Sequence, residues 1–257
     1  MKVVLLAGGS GTRLSEETDY KPKPMIEIGG MPIIWHIMKY YSYFGYNDFI
    51  ICAGYKQEYV KQWFSDYYLN TNDVTFDYSG GGTVEIHRSA SEPWRVTVCD
   101  TGKDTLTGGR IKRIEPYVHG ETFMVTYGDG VCDVNINELV KYHEEHGKIA
   151  TLTSVKRKET KGVLEIDNGG TVREFREKRE ADGKPINVGY MVFNSQIFDY
   201  IDDDGSSLER DVLSAVADKR ELMSYNHEGF WQCMDTLLEQ RQLERLINEN
   251  KAPWILW

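Results

Sequence analysis

The chain has 257 residues, 40% of them hydrophobic and 27% charged, with 40 acidic against 30 basic side chains and a formal net charge of −10. That length buries a core without disulfide or metal staples, and the composition excludes a long disordered chain, a collagen and a coiled coil. An acidic field of this size argues against non-specific binding to nucleic acid or to an anionic membrane surface, while leaving room for a local basic pocket.

Residues 3–7 form a short continuous apolar run, as expected of a strand buried on both faces. The run is too short for a signal peptide, because Gly8, Gly9 and Arg13 follow at once. A glycine-rich loop occupies 8–13. Residues 32–44 predict a helix with Ile33, Ile34, Ile37, Met38, Tyr41 and Phe44 on one stripe and Gly45 closing it. A strand at 49–53 and an amphipathic helix at 57–69 follow, the helix carrying Tyr59, Val60, Trp63, Phe64 and Tyr67 on its apolar side. Strands at 96–99 and 123–127, a helix at 135–146 and a strand at 149–155 continue the alternation, which implies a parallel sheet with right-handed crossovers. After residue 155 the pattern changes. Residues 162–166 and 172–175, separated by Asp167-Asn168-Gly169-Gly170, read as a hairpin. A strand is predicted at 188–193. Ser206 with Glu209 and Thr236 with Glu239 have the spacing of capping boxes, opening helices to about 219 and 248. No linker divides the chain. The expected fold is α/β: a Rossmann-like, mixed, mostly parallel sheet flanked by helices, with a smaller β-hairpin region on the substrate side.

Several features point to structure. Cys52, Cys99, Cys132 and Cys233 form no C-x-x-C pair, so neither a zinc site nor a redox motif has support. No apolar stretch approaches the ~18 residues of a bilayer span, and a cytoplasmic protein is expected. Asp202-Asp203-Asp204-Gly205 reads as a solvated turn. His143 and His146 share a helix face, but no third metal ligand accompanies them. The aromatic run Tyr40, Tyr41, Tyr43, Phe44 and Tyr46 exceeds what a core needs, and with exposed aromatics expected at Trp254 and Trp257 it points to subunit contacts.

The segment that carries chemistry is Leu5-Leu6-Ala7-Gly8-Gly9-Ser10-Gly11-Thr12-Arg13-Leu14. A glycine loop directly after a buried strand lets backbone N–H groups approach an anion. It is not a dinucleotide fingerprint, because Leu14 stands where the third glycine belongs, and it lacks the closing G-K-[ST] of a P-loop. A second cationic cluster, Lys21-Pro22-Lys23-Pro24-Met25, is stiffened by its prolines. A glycine loop with an embedded arginine, followed by a fixed lysine, suits a polyphosphate whose charge rises during reaction.

This pattern, L-x-A-G-G-x-G-T-R-L followed by K-P-K-P-M, resembles the signature of the sugar-1-phosphate nucleotidyltransferases. Thr126-Tyr127-Gly128-Asp129-Gly130-Val131, Glu92-Pro93-Trp94, Thr107-Gly108-Gly109-Arg110, Phe230-Trp231-Gln232, Met234-Asp235-Thr236 and Lys251-Ala252-Pro253-Trp254 extend the resemblance over essentially the whole chain and point to its cytidylyl branch. The resemblance implies one domain over 1–257, with a nucleotide-binding half (1–155) and a sugar-phosphate-binding half (156–257). It implies attack of α-D-glucose 1-phosphate on CTP, giving CDP-glucose and pyrophosphate. The sugar phosphate is already an anionic nucleophile near neutral pH, so no general base is needed. Alignment and neutralisation of the departing pyrophosphate are.

By the same resemblance, Leu6, Ala7, Gly8, Gly9, Ser10, Gly11 and Thr12 hold cytosine and ribose, and Arg13 and Lys23 face the triphosphate. Thr105 and Arg110, on a polar loop over 101–110, and Gly128 also approach the nucleotide. Tyr127, Glu177, Lys178, Asn187 and Gly189 meet the sugar phosphate. Arg13, Lys23 and Asp129 are the implied catalytic residues, and Asp129 and Asp235 the implied ligands of Mg2+. Read from the residues alone, Asp129 in Gly-Asp-Gly is equally a turn residue and Asp235 equally a helix cap. Two positions depart from the family pattern: Arg179 stands where proline often follows Glu-Lys, and Val188 where glycine often follows the asparagine. They leave the acceptor open.

The resemblance further implies a homo-oligomer, a hexamer being one form, and a place in CDP-linked deoxysugar supply for surface polysaccharide such as lipopolysaccharide O-antigen. The competing readings are a related transferase using another nucleotide or acceptor, a non-catalytic nucleotide-binding regulator, and a glycosyltransferase. The last would show a D-x-D pair, which Asp129 and Asp133 do not form.

Overall fold

The apolar run that opens the chain is the strand Lys2–Leu6. In the computed structural model, which describes residues 1–9, 20–88, 91–156, 163–166, 171–176 and 184–257, it lies inside a seven-stranded sheet. The order across the sheet is Leu222–His227, Ala150–Lys156, Pro185–Phe193, Phe123–Tyr127, Lys2–Leu6, Asp48–Ala53, Arg95–Asp100. Every neighbouring pair is parallel except the two made by Pro185–Phe193, which runs antiparallel to both its neighbours. The sheet is therefore mixed and mostly parallel, as expected.

Alternation along the first strand feeds two cores, because successive side chains of a strand point to opposite faces. Val3, Leu5 and Ala7 join Ile34, Ile37, Leu139 and Leu243 on one face. Val4 and Leu6 join Ile111, Phe198, Val212 and Val216 on the other. The helix Ile33–Tyr43 starts after Pro32 and stops before Gly45, whose φ of +90° only glycine adopts freely. The helix Ile136–His146 is capped by Asn135, whose side chain accepts from Glu138 N. His143 and His146 both bond the Thr151 hydroxyl, at 2.8 and 2.7 Å, which is a structural use of the pair. All four cysteines are free.

Several expectations need correction. Residues 101–110 are not loop throughout: Thr107–Arg113 is helical. Gly108 and Gly109 lower its intrinsic propensity, but a Cβ on them would stand 2.7 Å from the Ser206 carbonyl oxygen and 2.6 Å from Asp204 Cα. Backbone contact across the fold has overridden local preference. The segment after Ser206 begins as a π-turn, Leu208–Val212, and continues as the helix Leu213–Asp218. Its cap is Ser207, not Ser206. Trp254 is fully buried rather than exposed: it stacks on Phe230 at 5.5 Å and its indole donates to His36. Trp257 is half-exposed, edge-on to Trp35. On the second helix, Gln57–Asn70, only Val60 of the expected stripe is fully buried.

The hairpin expected after residue 155 is present as antiparallel Val163–Ile166 and Val172–Arg176, its turn lying outside the described residues. Three further ladders gave no clear signal: Glu27–Ile28 with Met31–Pro32, Asp73–Asp77 with Thr83–Arg88, and Gly130–Cys132 with Trp231–Cys233. In the first and last of these, two or three residues are too few for a period to register; the strands Asp73–Asp77 and Thr83–Arg88 are longer but polar. The last of these ladders builds the site.

Candidate active site

At the carboxyl ends of Lys2–Leu6 and Phe123–Tyr127 lies a cleft of about 360 Å³. Parallel sheets bind ligands at this end. Its walls include Leu6, Ala7, Gly8, Gly9, Lys23, Thr105, Arg110, Tyr127, Asp129 and Asp235, ten residues singled out from sequence, together with Pro24, Leu106 and Thr107.

Asp129 and Asp235 are 106 positions apart in sequence, and the ladder between Gly130–Cys132 and Trp231–Cys233 brings them together. Cys233 pairs with Gly130, and Met234 N donates to Asp129 O at 2.8 Å. The cap of the last helix is Thr236, which accepts from Glu239 N, while Glu239 returns to Asp235 N at 2.8 Å. The capping box therefore fixes the Asp235 backbone and leaves its carboxylate to the cleft.

Both carboxylates face one ammonium. Lys23 Nζ donates to Asp129 Oδ2 at 2.5 Å and to Asp235 Oδ1 at 2.6 Å. Lys23 sits on a single helical turn, Lys23–Met25, held between Pro22 and Pro24, and is nearly buried. Burial works to lower its pKa, but the charge of Asp129 and the hydrogen bonds to both aspartates outweigh it, so the pKa lies above the ordinary lysine value. Cys233 stands beside Asp235, and burial pushes its thiol up to about 12, which makes it a poor nucleophile.

The side of the cleft formed by Gly8 and Gly9 is braced by Arg110. Its guanidinium donates to Thr101 Oγ1 (2.8 Å), Gly102 O (2.7 Å), Gly8 O (3.1 Å) and Lys103 O (3.2 Å). All four terminal N–H bonds thus hold protein rather than reach into the cleft. This explains Gly8: a Cβ there would lie 2.1 Å from Arg110 Nη1. Among the described residues, nothing would meet a Cβ on Gly9. Gly128 is not among the cleft-lining residues. Its N–H donates to Leu6 O at 3.0 Å, and Leu6 and Pro24 leave little room for a side chain.

On the opposite side Tyr127 packs against Gly189, which has φ +80° and would bring a Cβ to 2.1 Å from Tyr127 Cδ2. Asn187 Oδ1 accepts from Gly189 N at 2.9 Å and so holds this left-handed turn. Val188 is buried in the same strand, and neither it nor Asn187 nor Gly189 is among the cleft-lining residues, so of this group only Tyr127 reaches the cleft. Tyr127 donates to Glu209 Oε1 at 2.5 Å. Glu209 was anticipated only as half of a capping box; its link to Tyr127 has no short-range signal, because 82 residues separate them. Ser10, Gly11, Thr12, Arg13, Glu177, Lys178 and Arg179 lie outside the described residues.

The family model described as nucleotidyl transferase matches residues 2–236. The chain is 50% identical over 258 residues to proteins named glucose-1-phosphate cytidylyltransferase from Salmonella typhimurium and Salmonella typhi, each match covering 100% of both chains. Among solved structures it resembles HddC from Yersinia pseudotuberculosis, with a TM-score of 0.69 and 20% identity over 96% of this chain and 99% of that one. That likeness concerns the fold.

Proposed function

This chain belongs to the nucleotidyl transferase family, and we propose that it transfers a cytidylyl group from CTP to α-D-glucose 1-phosphate, giving CDP-glucose and pyrophosphate. The observation that carries this reading is 50% identity, end to end, to two glucose-1-phosphate cytidylyltransferases. The cleft supports it chemically: it joins a glycine loop, a fixed lysine and two carboxylates, and presents no Ser-His or Cys-His pair among the described residues.

In this reading a phosphate oxygen of glucose 1-phosphate attacks the α-phosphorus of CTP. The new P–O bond forms as the α–β bridge breaks, and pyrophosphate leaves with the electron pair. The backbone at Leu6, Ala7, Gly8 and Gly9 holds the base and ribose, with Ser10, Gly11 and Thr12 continuing that loop in sequence. Lys23 and Arg13 offset the charge gathering on the leaving group. Tyr127, Asn187 and Gly189, with Glu177 and Lys178, hold the sugar phosphate. Two hard carboxylate donors already gathered around one positive charge suit a divalent cation, and we assign Asp129 and Asp235 to Mg2+. When bound, the ion would draw charge from the phosphate oxygens.

We further place the enzyme in the cytoplasm as a homo-oligomer serving CDP-sugar supply. Exposed aromatic side chains at Tyr43, Tyr59, Tyr68 and Phe76 support self-association. Pyrophosphate release, measured with Mg2+ while CTP, UTP, dTTP, ATP and GTP are crossed against a panel of sugar phosphates, tests the assignment. Strong release with CTP and glucose 1-phosphate alone is expected. Release with CTP and a different acceptor keeps the chemistry and reassigns the sugar. CTP binding without release from any pair overturns catalysis.

A further inference from the structure

We propose that Glu209 is a positioning residue for the acceptor: it does not line the cleft, but it fixes the Tyr127 ring that forms the acceptor wall. The inference rests on the assignment of that wall to glucose 1-phosphate.

Glu209 lies in the π-turn Leu208–Val212. Such turns are rare and recur at functional sites, which alone decides nothing. The deciding observation is how its carboxylate is used. Oε1 accepts from the Tyr127 hydroxyl at 2.5 Å, and Oε2 accepts from Thr107 Oγ1 at 2.8 Å and Ser207 Oγ at 3.0 Å. The turn does not need this carboxylate for its own start. Ser207 caps Arg210 N, and the reciprocal bond, from Ser207 N, goes to Asp211 Oδ2 at 2.8 Å. The glutamate of the apparent capping box is therefore released for a tertiary task.

That task has a definite geometry. The Tyr127 ring is bounded on one side by Gly189, where no Cβ fits, and its hydroxyl is tied at the far end to Glu209. Burial and the Glu209 charge raise the Tyr127 pKa, so the phenol stays a donor. Burial opposes ionisation of Glu209, but the hydrogen bonds from Tyr127 and Thr107 outweigh it and lower its pKa, so the acceptor stays a carboxylate. A charge-assisted bond of this kind is stronger than a neutral one and fixes the ring at the cleft wall. Thr107 is held independently, since its hydroxyl accepts from Leu208 N at 2.9 Å. Losing Glu209 should thus free Tyr127 while leaving the nucleotide side in place.

The test is steady-state kinetics on the full-length enzyme with Glu209→Ala, Glu209→Gln, Tyr127→Phe, Tyr127→Ala and the Glu209→Ala/Tyr127→Phe double variant. Glu209→Ala and Tyr127→Phe are each expected to raise KM for glucose 1-phosphate about 10-fold, with KM for CTP moving less than about 2-fold. Glu209→Gln retains an acceptor oxygen and should recover most of the loss. The double variant should be no worse than either single one, because both remove the same bond. An unchanged acceptor KM in Glu209→Ala, beside a raised one in Tyr127→Ala, overturns the role of Glu209 alone. An unchanged acceptor KM in Tyr127→Ala overturns the acceptor wall itself. Equal rises in both KM values would mean a general structural role and also overturn the proposal. If Glu209→Ala does not fold, Glu209→Leu, which fills the space without an acceptor oxygen, takes its place, and an unchanged acceptor KM in it overturns the role of Glu209.

Discussion

One side of the cleft is backbone: Gly8 and Gly9 present main chain, and Arg110 stands behind them with its terminal N–H bonds directed at Gly8, Thr101, Gly102 and Lys103. The other side is side chain: the Tyr127 ring is wedged by Gly189 and tied by Glu209. In the proposed reading the backbone wall takes the shape and charge common to nucleotides, and it changes little when side chains are exchanged. In the same reading the side-chain wall is where one acceptor is separated from another. Lys23, Asp129 and Asp235 line the same cleft and are joined to one another by ion pairs.

The strongest way to break this division is at these ion pairs. Asp129→Asn should lower kcat by roughly 10²-fold or more, as loss of a preorganised charge partner does, and Lys23→Ala should fall in the same range. Turnover at the wild-type level in either variant removes that residue from the mechanism. The two walls are separated by a crossed pair. Gly8→Ala meets Arg110 and should raise KM for CTP by about 10-fold, whereas Gly189→Ala, strained at φ +80° and pressed on Tyr127, should raise KM for the sugar phosphate by a similar factor. If each variant shifts both constants equally, the walls are not independent. The smallest effect comes from a remote control. His36 is buried against Ile28 O and Trp254, and burial lowers its pKa to about 4. Between that value and its ordinary 6.5 the unfolded chain binds the proton and the folded chain does not, so stability falls as pH falls through this window. Denaturant titration should show a loss of about 1 kcal/mol from this group between pH 7 and 5.5. The slope should shrink in His36→Gln, with neither KM moved.

The strands Lys2–Leu6 and Asp48–Ala53 were legible because each is a continuous apolar run, whereas the parallel edge strand Leu222–His227 was not, because Ser224, Asn226 and His227 break any such run. The glycine loop was legible because its spacing is local. Asp129 was legible from its place after a strand, but its partnership with Asp235 and Lys23 was not. It depends on a ladder of three residues on each side joining distant parts of the chain. The helix Thr107–Arg113 was hidden for the opposite reason: its glycines weaken the local signal while meeting a backbone approach visible only in three dimensions. Trp254 is similar, since a tryptophan near the chain end gives no sign that Phe230 and His36 await it. Local pattern carried the scaffold and the loop, and tertiary contact decided which carboxylates meet.

One ammonium set between two carboxylates has a consequence for how the protein matures. The chain supplies its own counter-ion: Lys23 leaves a single formal negative charge where Asp129 and Asp235 would otherwise repel one another. Newly made protein can close this part of its fold before any divalent ion reaches it, and stripping ions with a chelator should lower its melting temperature only by the mass-action contribution of the bound ion and leave the protein folded.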